Sequence, residues 1–164
     1  MSDVKNANEI YNDGMYEFLN ENFENSVEIL SQAAELDPQR KLTFVSRGAA
    51  YLRLGRLEEA LADFNHAIDI DSDYARAYHL RGLVEERQGD DGGALNDFTR
   101  AIEIDPEYGA AYHSRAALHT KMGEEELAME DIAFVHHLSN KNIEAFANEN
   151  NLWRSQQLRL ESMV

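Results

Sequence analysis

The chain has 164 residues, 43% of them apolar, enough for one domain of ordinary size. Fifteen basic residues against 31 acidic ones give a formal charge of −16, which argues against nonspecific attraction to nucleic acid or to an anionic membrane and reads as a solvated outer surface. No cysteine is present, so disulfides and thiolate metal sites are excluded and a reducing compartment fits. The start, MSDVKNANEIYND, has neither the basic nor the apolar region of a secretory signal. No apolar run approaches the roughly 20 residues that span a bilayer. The expected location is the cytoplasm.

Met1 to Asn6 is short and polar and is expected to fray. From Ala7 the chain repeats itself every 34 residues, in units 7–40, 41–74, 75–108 and 109–142. The second and third units align without gaps and share 13 of 34 positions. Arg47-Gly48 returns as Arg81-Gly82, Ala60-Leu61 as Ala94-Leu95, and Asp63-Phe64 as Asp97-Phe98. A fixed period of this size marks stacked supersecondary units. The first unit carries Ile10, Gly14, Phe23, Ser26, Leu30, Ala33 and Pro38 and is the least typical. Its Asp13 and Glu17 stand where the second unit has Arg47 and Tyr51. Terminal repeats are expected to differ, because one face lacks a neighbour. The fourth keeps the register through Tyr112, Arg115, Ala116, Gly123, Ala128, Ile132 and Val135.

Each unit reads as helix A, a turn and helix B. In the second unit these are expected at about 42–54 and 57–70. Gly55, Gly89 and Gly123 fall just past helix A, where a left-handed cap favours glycine. Pro38 and Pro106 follow Asp37 and Asp105 at the end of helix B, where proline stops a helix. Gly48, Gly82, Ala60 and Ala94 let the paired backbones approach, with Phe64 and Phe98 filling the space beside them. One covariation is visible within this single chain. Repeat position 7 holds Asp13, Arg47, Arg81 and Arg115, while position 23 holds Ile29, Asp63, Asp97 and Asp131. Arginine and aspartate arrive together, which predicts an ion pair between helices A and B in the second to fourth repeats, partly buried and bidentate. Beyond Asn142, the segment 143–164 places Ile143, Phe146, Ala147, Trp153 and Leu160 near one helical face. A C-terminal capping helix is expected at about 142–160, with Trp153 either a packing residue or an anchor for a second copy.

The combination Tyr78, Gly82, Ala94, Phe98, Ala101, Pro106 resembles the tetratricopeptide repeat, and the arginine at position 7 is similar to a bacterial-style AYxxRG variant. The resemblance covers about 7–142. It implies an all-α fold: a right-handed α-solenoid of about four helix hairpins, here with a C-terminal cap. It further implies that the A helices line a concave groove for a peptide or partner helix, through repeat positions 2, 5, 9, 12 and 13. On this chain the first repeat then offers Tyr11, Met15 and Phe18, and the second Leu42, Val45, Ala49, Leu52 and Arg53. The third offers Arg76, His79, Leu83 and Arg87, and the fourth His113 and Lys121. The first half of that groove is apolar and the second basic, so the expected partner is a protein or peptide with apolar and acidic stretches. The carboxylate clamp of the chaperone-binding members is not expected. Its positions hold Tyr11, Met15, Ser46, Arg76 and Leu80, and only Arg76 fits.

No chemistry-bearing motif emerges, and no catalytic residue, metal or cofactor is expected. His79 and His113 lie one repeat apart without a completing ligand. The run GDDGG at 89–93 carries aspartates that would repel phosphate. The expected function is therefore a non-enzymatic adaptor. The alternative is a self-assembling scaffold that uses its end faces or the Trp153 helix. Nucleic-acid binding, as in the related pentatricopeptide repeats, fits neither the 34-residue period nor the charge.

Overall fold

The computed structural model describes residues 6–142. The expected capping helix and Trp153 lie outside the described residues. Within them the chain runs as α1 (Ala7–Leu19), α2 (Phe23–Leu36), α3 (Lys41–Arg53), α4 (Leu57–Ile70), α5 (Ala75–Gln88), α6 (Asp91–Ile104) and α7 (Gly109–Met122). A further helix, α8, occupies 125–142. No strand interrupts this order among the described residues. Asn6, grouped with the polar leader by sequence, is the N-cap of α1. It accepts from the backbone of Asn8 and Glu9, and the Glu9 side chain answers back to its N–H.

Helices of 13 or 14 residues are marginal in isolation, so packing must hold them. Each A–B turn closes in the same way. The N–H donors of Asn22, Arg56, Asp90 and Glu124 reach the carbonyls of Glu17, Tyr51, Glu85 and His119, all at 2.9 Å. This six-to-one bond requires a left-handed residue just before it. Gly55, Gly89 and Gly123 supply it with φ of 74°, 86° and 78°. The first repeat has Glu21 there, at φ 62°. At the other end, Asp37, Asp71 and Asp105 terminate the B helices. Each carboxylate accepts the N–H two residues on, a short turn that redirects the chain into the next A helix.

The core runs as a line between the paired helices. Phe64 and Phe98 are fully buried, as are Ala60 and Ala94. The rings lie against glycine. A Cβ on Gly48 would come within 2.7 Å of Phe64, and one on Gly82 within 2.7 Å of Phe98. Successive A helices touch, α1 with α3, α3 with α5 and α5 with α7, whereas no such contact joins α2 to α4 or α4 to α6. The A helices therefore crowd on the inner side of the stack and the B helices fan out on the outer side. That asymmetry curves the stack and makes an inner wall.

Candidate functional site

The wall is assembled from one residue per helix at each repeat position. The ninth position gives Met15, Ala49, Leu83 and Ala117, the first three half-buried and the last exposed. They place one apolar side chain at the same position on each of α1, α3, α5 and α7. Leu42 and Arg76, at the second position, are exposed.

The fifth position behaves differently from the groove map. Two of its side chains, Tyr11 and His79, turn toward the sixth position of the following repeat. Tyr11 shares a hydrogen bond with Ser46 at 3.2 Å between their hydroxyls. Val45 is only 1% exposed. His79 is buried, with Nδ1 3.1 Å from the Tyr108 hydroxyl and Nε2 2.9 Å from Ser114 Oγ. Burial, and then the nearby Arg76 charge, push the His79 imidazole down to about 4, so it is neutral at physiological pH. Only His113 remains exposed at this position. His79, one of the residues expected to line the groove, therefore brings no charge to it near neutral pH.

The basic half of the groove is also smaller than the residue types suggest. Arg53 stacks 4.5 Å over the Phe23 ring and lies 3.9 Å from Glu21. Arg87 donates to the Leu52 carbonyl at 2.9 Å, tying α5 to the end of α3. Lys121 pairs with Asp91 at 2.5 Å. These three side chains clip each A helix to the preceding repeat. Leu52 is buried, and Phe18 packs edge-on against Phe23 at 5.4 Å. Arg76, by contrast, makes no ion pair or side-chain hydrogen bond among the described residues. It lines a cleft of about 300 Å³ with Asp73, Tyr74, Ala75, Ile104, Asp105 and Tyr108.

Behind the wall lie the arginine–aspartate pairs. Arg47 donates to Asp63 at 2.8 and 2.7 Å, Arg81 to Asp97 at 2.7 and 2.8 Å, and Arg115 to Asp131 at 2.8 and 2.7 Å. All three aspartates are buried. Each arginine is raised above its ordinary value, chiefly by the bond to its aspartate. Sequence reasoning missed the third member. The remaining guanidinium nitrogen reaches back to the preceding B helix, Arg47 to Ser31 at 3.1 Å, Arg81 to Asn65 at 2.7 Å, and Arg115 to Thr99 at 3.2 Å. The signal was present. A short polar side chain recurs at Ser31, Asn65 and Thr99 and stops at Ala133, one unit before Glu149 replaces the arginine.

Two family descriptions match this chain, a TPR repeat over residues 48–89 and a tetratricopeptide repeat over residues 75–108. Residues 48–108 are tetratricopeptide repeats. The "Crystal structure of MamA" superposes with a TM-score of 0.77 at 21% identity, covering 87% of this chain and 84% of that one. The "First TPR of Spaghetti (RPAP3) bound to HSP90 peptide SRMEEVD" superposes with a TM-score of 0.69 at 21% identity, over 74% of this chain and 96% of that one. By sequence, the chain is 32% identical over 71 residues to the "Protein STIP1 homolog" of Dictyostelium discoideum, 43% of this chain and 13% of that protein. It is 36% identical over 75 residues to the "DnaJ homolog subfamily C member 7 homolog" of Schizosaccharomyces pombe, 43% of this chain and 16% of that protein. The chain thus spans well under a fifth of the length of these two relatives. None of the described helices is long and apolar enough to cross a membrane.

Proposed function

We propose that this tetratricopeptide-repeat chain is a non-enzymatic adaptor that receives an extended segment of another protein along the wall of α1, α3, α5 and α7. The observation that carries this reading is the line Met15, Ala49, Leu83, Ala117, one apolar side chain per repeat, running beside the uncommitted Arg76. A segment with apolar side chains at intervals fits the line, and one acidic group fits Arg76. The peptide held by the RPAP3 neighbour supports the mode of binding. It does not carry over the clamp, whose positions here hold Tyr11, Met15, Ser46 and Leu80 besides Arg76. Neither nucleic acid nor a membrane is a partner in this reading, and the cytoplasm is its expected setting.

The test is a calorimetric titration with acidic-apolar peptides, using wild type and Leu83→Glu with Arg76→Glu. The wild type should bind, and the variant should bind at least about tenfold more weakly, a loss of about 1.4 kcal/mol. A flat titration, or equal affinity for both proteins, removes the proposal. A second reading, assembly through an end face, rests on the last repeat. Met129 is 70% and Ile132 46% exposed, whereas their counterparts Val27 and Leu30 are 9% and 0% exposed. Light scattering separates the two, because an obligate assembly has no monomer at low concentration.

A further inference from the structure

The first, second and fourth repeats brace their A–B turns with two side chains five residues apart. In the first, Asn22 Nδ2 donates to Glu17 Oε2 at 2.8 Å. In the second, the Arg56 guanidinium lies 4.6 Å over the Tyr51 ring. In the fourth, His119 Nδ1 is 2.6 Å from Glu124 Oε2. The third repeat breaks this rule, because its two residues are Glu85 and Asp90. Asp90 already accepts the Gly93 N–H at 2.9 Å as the cap of α6. Glu85 Oε2 is buried without a hydrogen-bond partner. The neighbouring Arg81 is committed to Asp97 and to Asn65.

We propose that the buried, unpartnered Glu85 carboxyl binds a proton in the folded chain, which makes the third repeat a proton-operated joint. The groups acting on Glu85 are Arg81 on its own helix α5, Asp97 on α6 and Asp90 in the turn. Helix α4 reaches this cluster through the neutral Asn65 on Arg81. Without the proton, three carboxylates face one guanidinium, and one of them holds a buried oxygen that nothing satisfies. With it, the Glu85 carboxyl is neutral and gains a donor, and the excess negative charge falls by one. Burial first, and then Asp97, raise the Glu85 acid to about 7. The joint joins α5 to α6, so its state sets how firmly the middle of the wall is held. This inference does not depend on the adaptor reading.

Carboxyl-carbon NMR of the wild-type protein tests the proton directly. A Glu85 titration midpoint at or above pH 6 is expected, and one below pH 6 overturns the proposal. Hydrogen exchange tests the joint. After correction for intrinsic exchange, protection of α5–α6 amides relative to α3–α4 amides should fall about tenfold between pH 6 and pH 8. Glu85→Gln, which keeps the shape and a donor but cannot ionise, should abolish that fall. The same fall in wild type and variant overturns the joint. Should the variant not fold, the wild-type NMR titration decides.

Discussion

His79 and Glu85 sit on the same helix yet answer acid in opposite directions. The folded value of His79 is about 4, below the ordinary 6.5, so the unfolded chain takes up the proton first. Its contribution is complete above pH 6.5 and is lost as pH falls toward 4. Glu85 is raised from 4.5 to about 7, so the folded chain holds the extra proton. Its contribution is complete below pH 4.5 and is lost as pH rises through 7. The two slopes oppose one another between pH 4.5 and 6.5 and partly cancel in a whole-protein titration. His79→Gln should remove the acid-side loss, so urea midpoints of variant and wild type should converge, or cross, on going from pH 7 to 4.5. A constant difference across that range would show that His79 titrates normally. A second residue-scale prediction concerns the left-handed Glu21. Its φ of 62° is the conformation its three counterparts give to glycine. Glu21→Gly should stabilise the protein by about 1 kcal/mol, read from chemical denaturation, because a side chain in this region is strained by roughly that amount. Its ion pair with Arg53 at 3.9 Å is exposed and adds little against that gain.

In the second and third repeats the two helices meet through a glycine facing a ring and through an arginine facing an aspartate. Gly82→Ala would bring a methyl group within 2.7 Å of Phe98 Cε1 and 3.2 Å of the Ala94 carbonyl oxygen. Alanine is the better helix former by about 1 kcal/mol. Overpacking outweighs that gain, and a net loss of about 1–2 kcal/mol is expected in urea denaturation. For the ion pair, Arg81→Leu leaves the buried Asp97 uncompensated and should cost about 3 kcal/mol, whereas Arg81→Leu with Asp97→Leu should cost less than the two single changes summed. Additive costs would show that the pair does not orient the helices. Much of this level was legible from the chain alone. The expected helix at 57–70 is α4, Leu57–Ile70, and the one at 42–54 is α3, Lys41–Arg53. Period and cap glycines mark such boundaries because they depend on local backbone geometry. The groove was less legible, since whether a side chain is free depends on the neighbouring repeat. Arginine and lysine at 53, 87 and 121 look like ligand groups in the sequence, yet each is held by the unit before it. The Glu85 cluster went unread for the same reason, because a surface acid and an unsatisfied buried one are written with the same letter.

Seen whole, the molecule is a row in which each hairpin leans on the next, so order should decline toward the first repeat. Amides of α1 are expected to exchange faster than those of α3 to α6, because among the described residues α1 packs on one side only, against α2 and α3. Uniform protection would contradict a linear stack. The three-membered contacts also give the row a reading direction. Arg47, Arg81 and Arg115 each look backward for a hydroxyl or amide, and find Ser31, Asn65 and Thr99. A duplicate of 75–108 spliced after Tyr108 would meet Thr99 and offer its own threonine to Arg115, so the lengthened protein should fold. The same duplicate spliced after Asn142 would present its arginine to the methyl group of Ala133. The row is thus extensible from within and closed to copying at its far end.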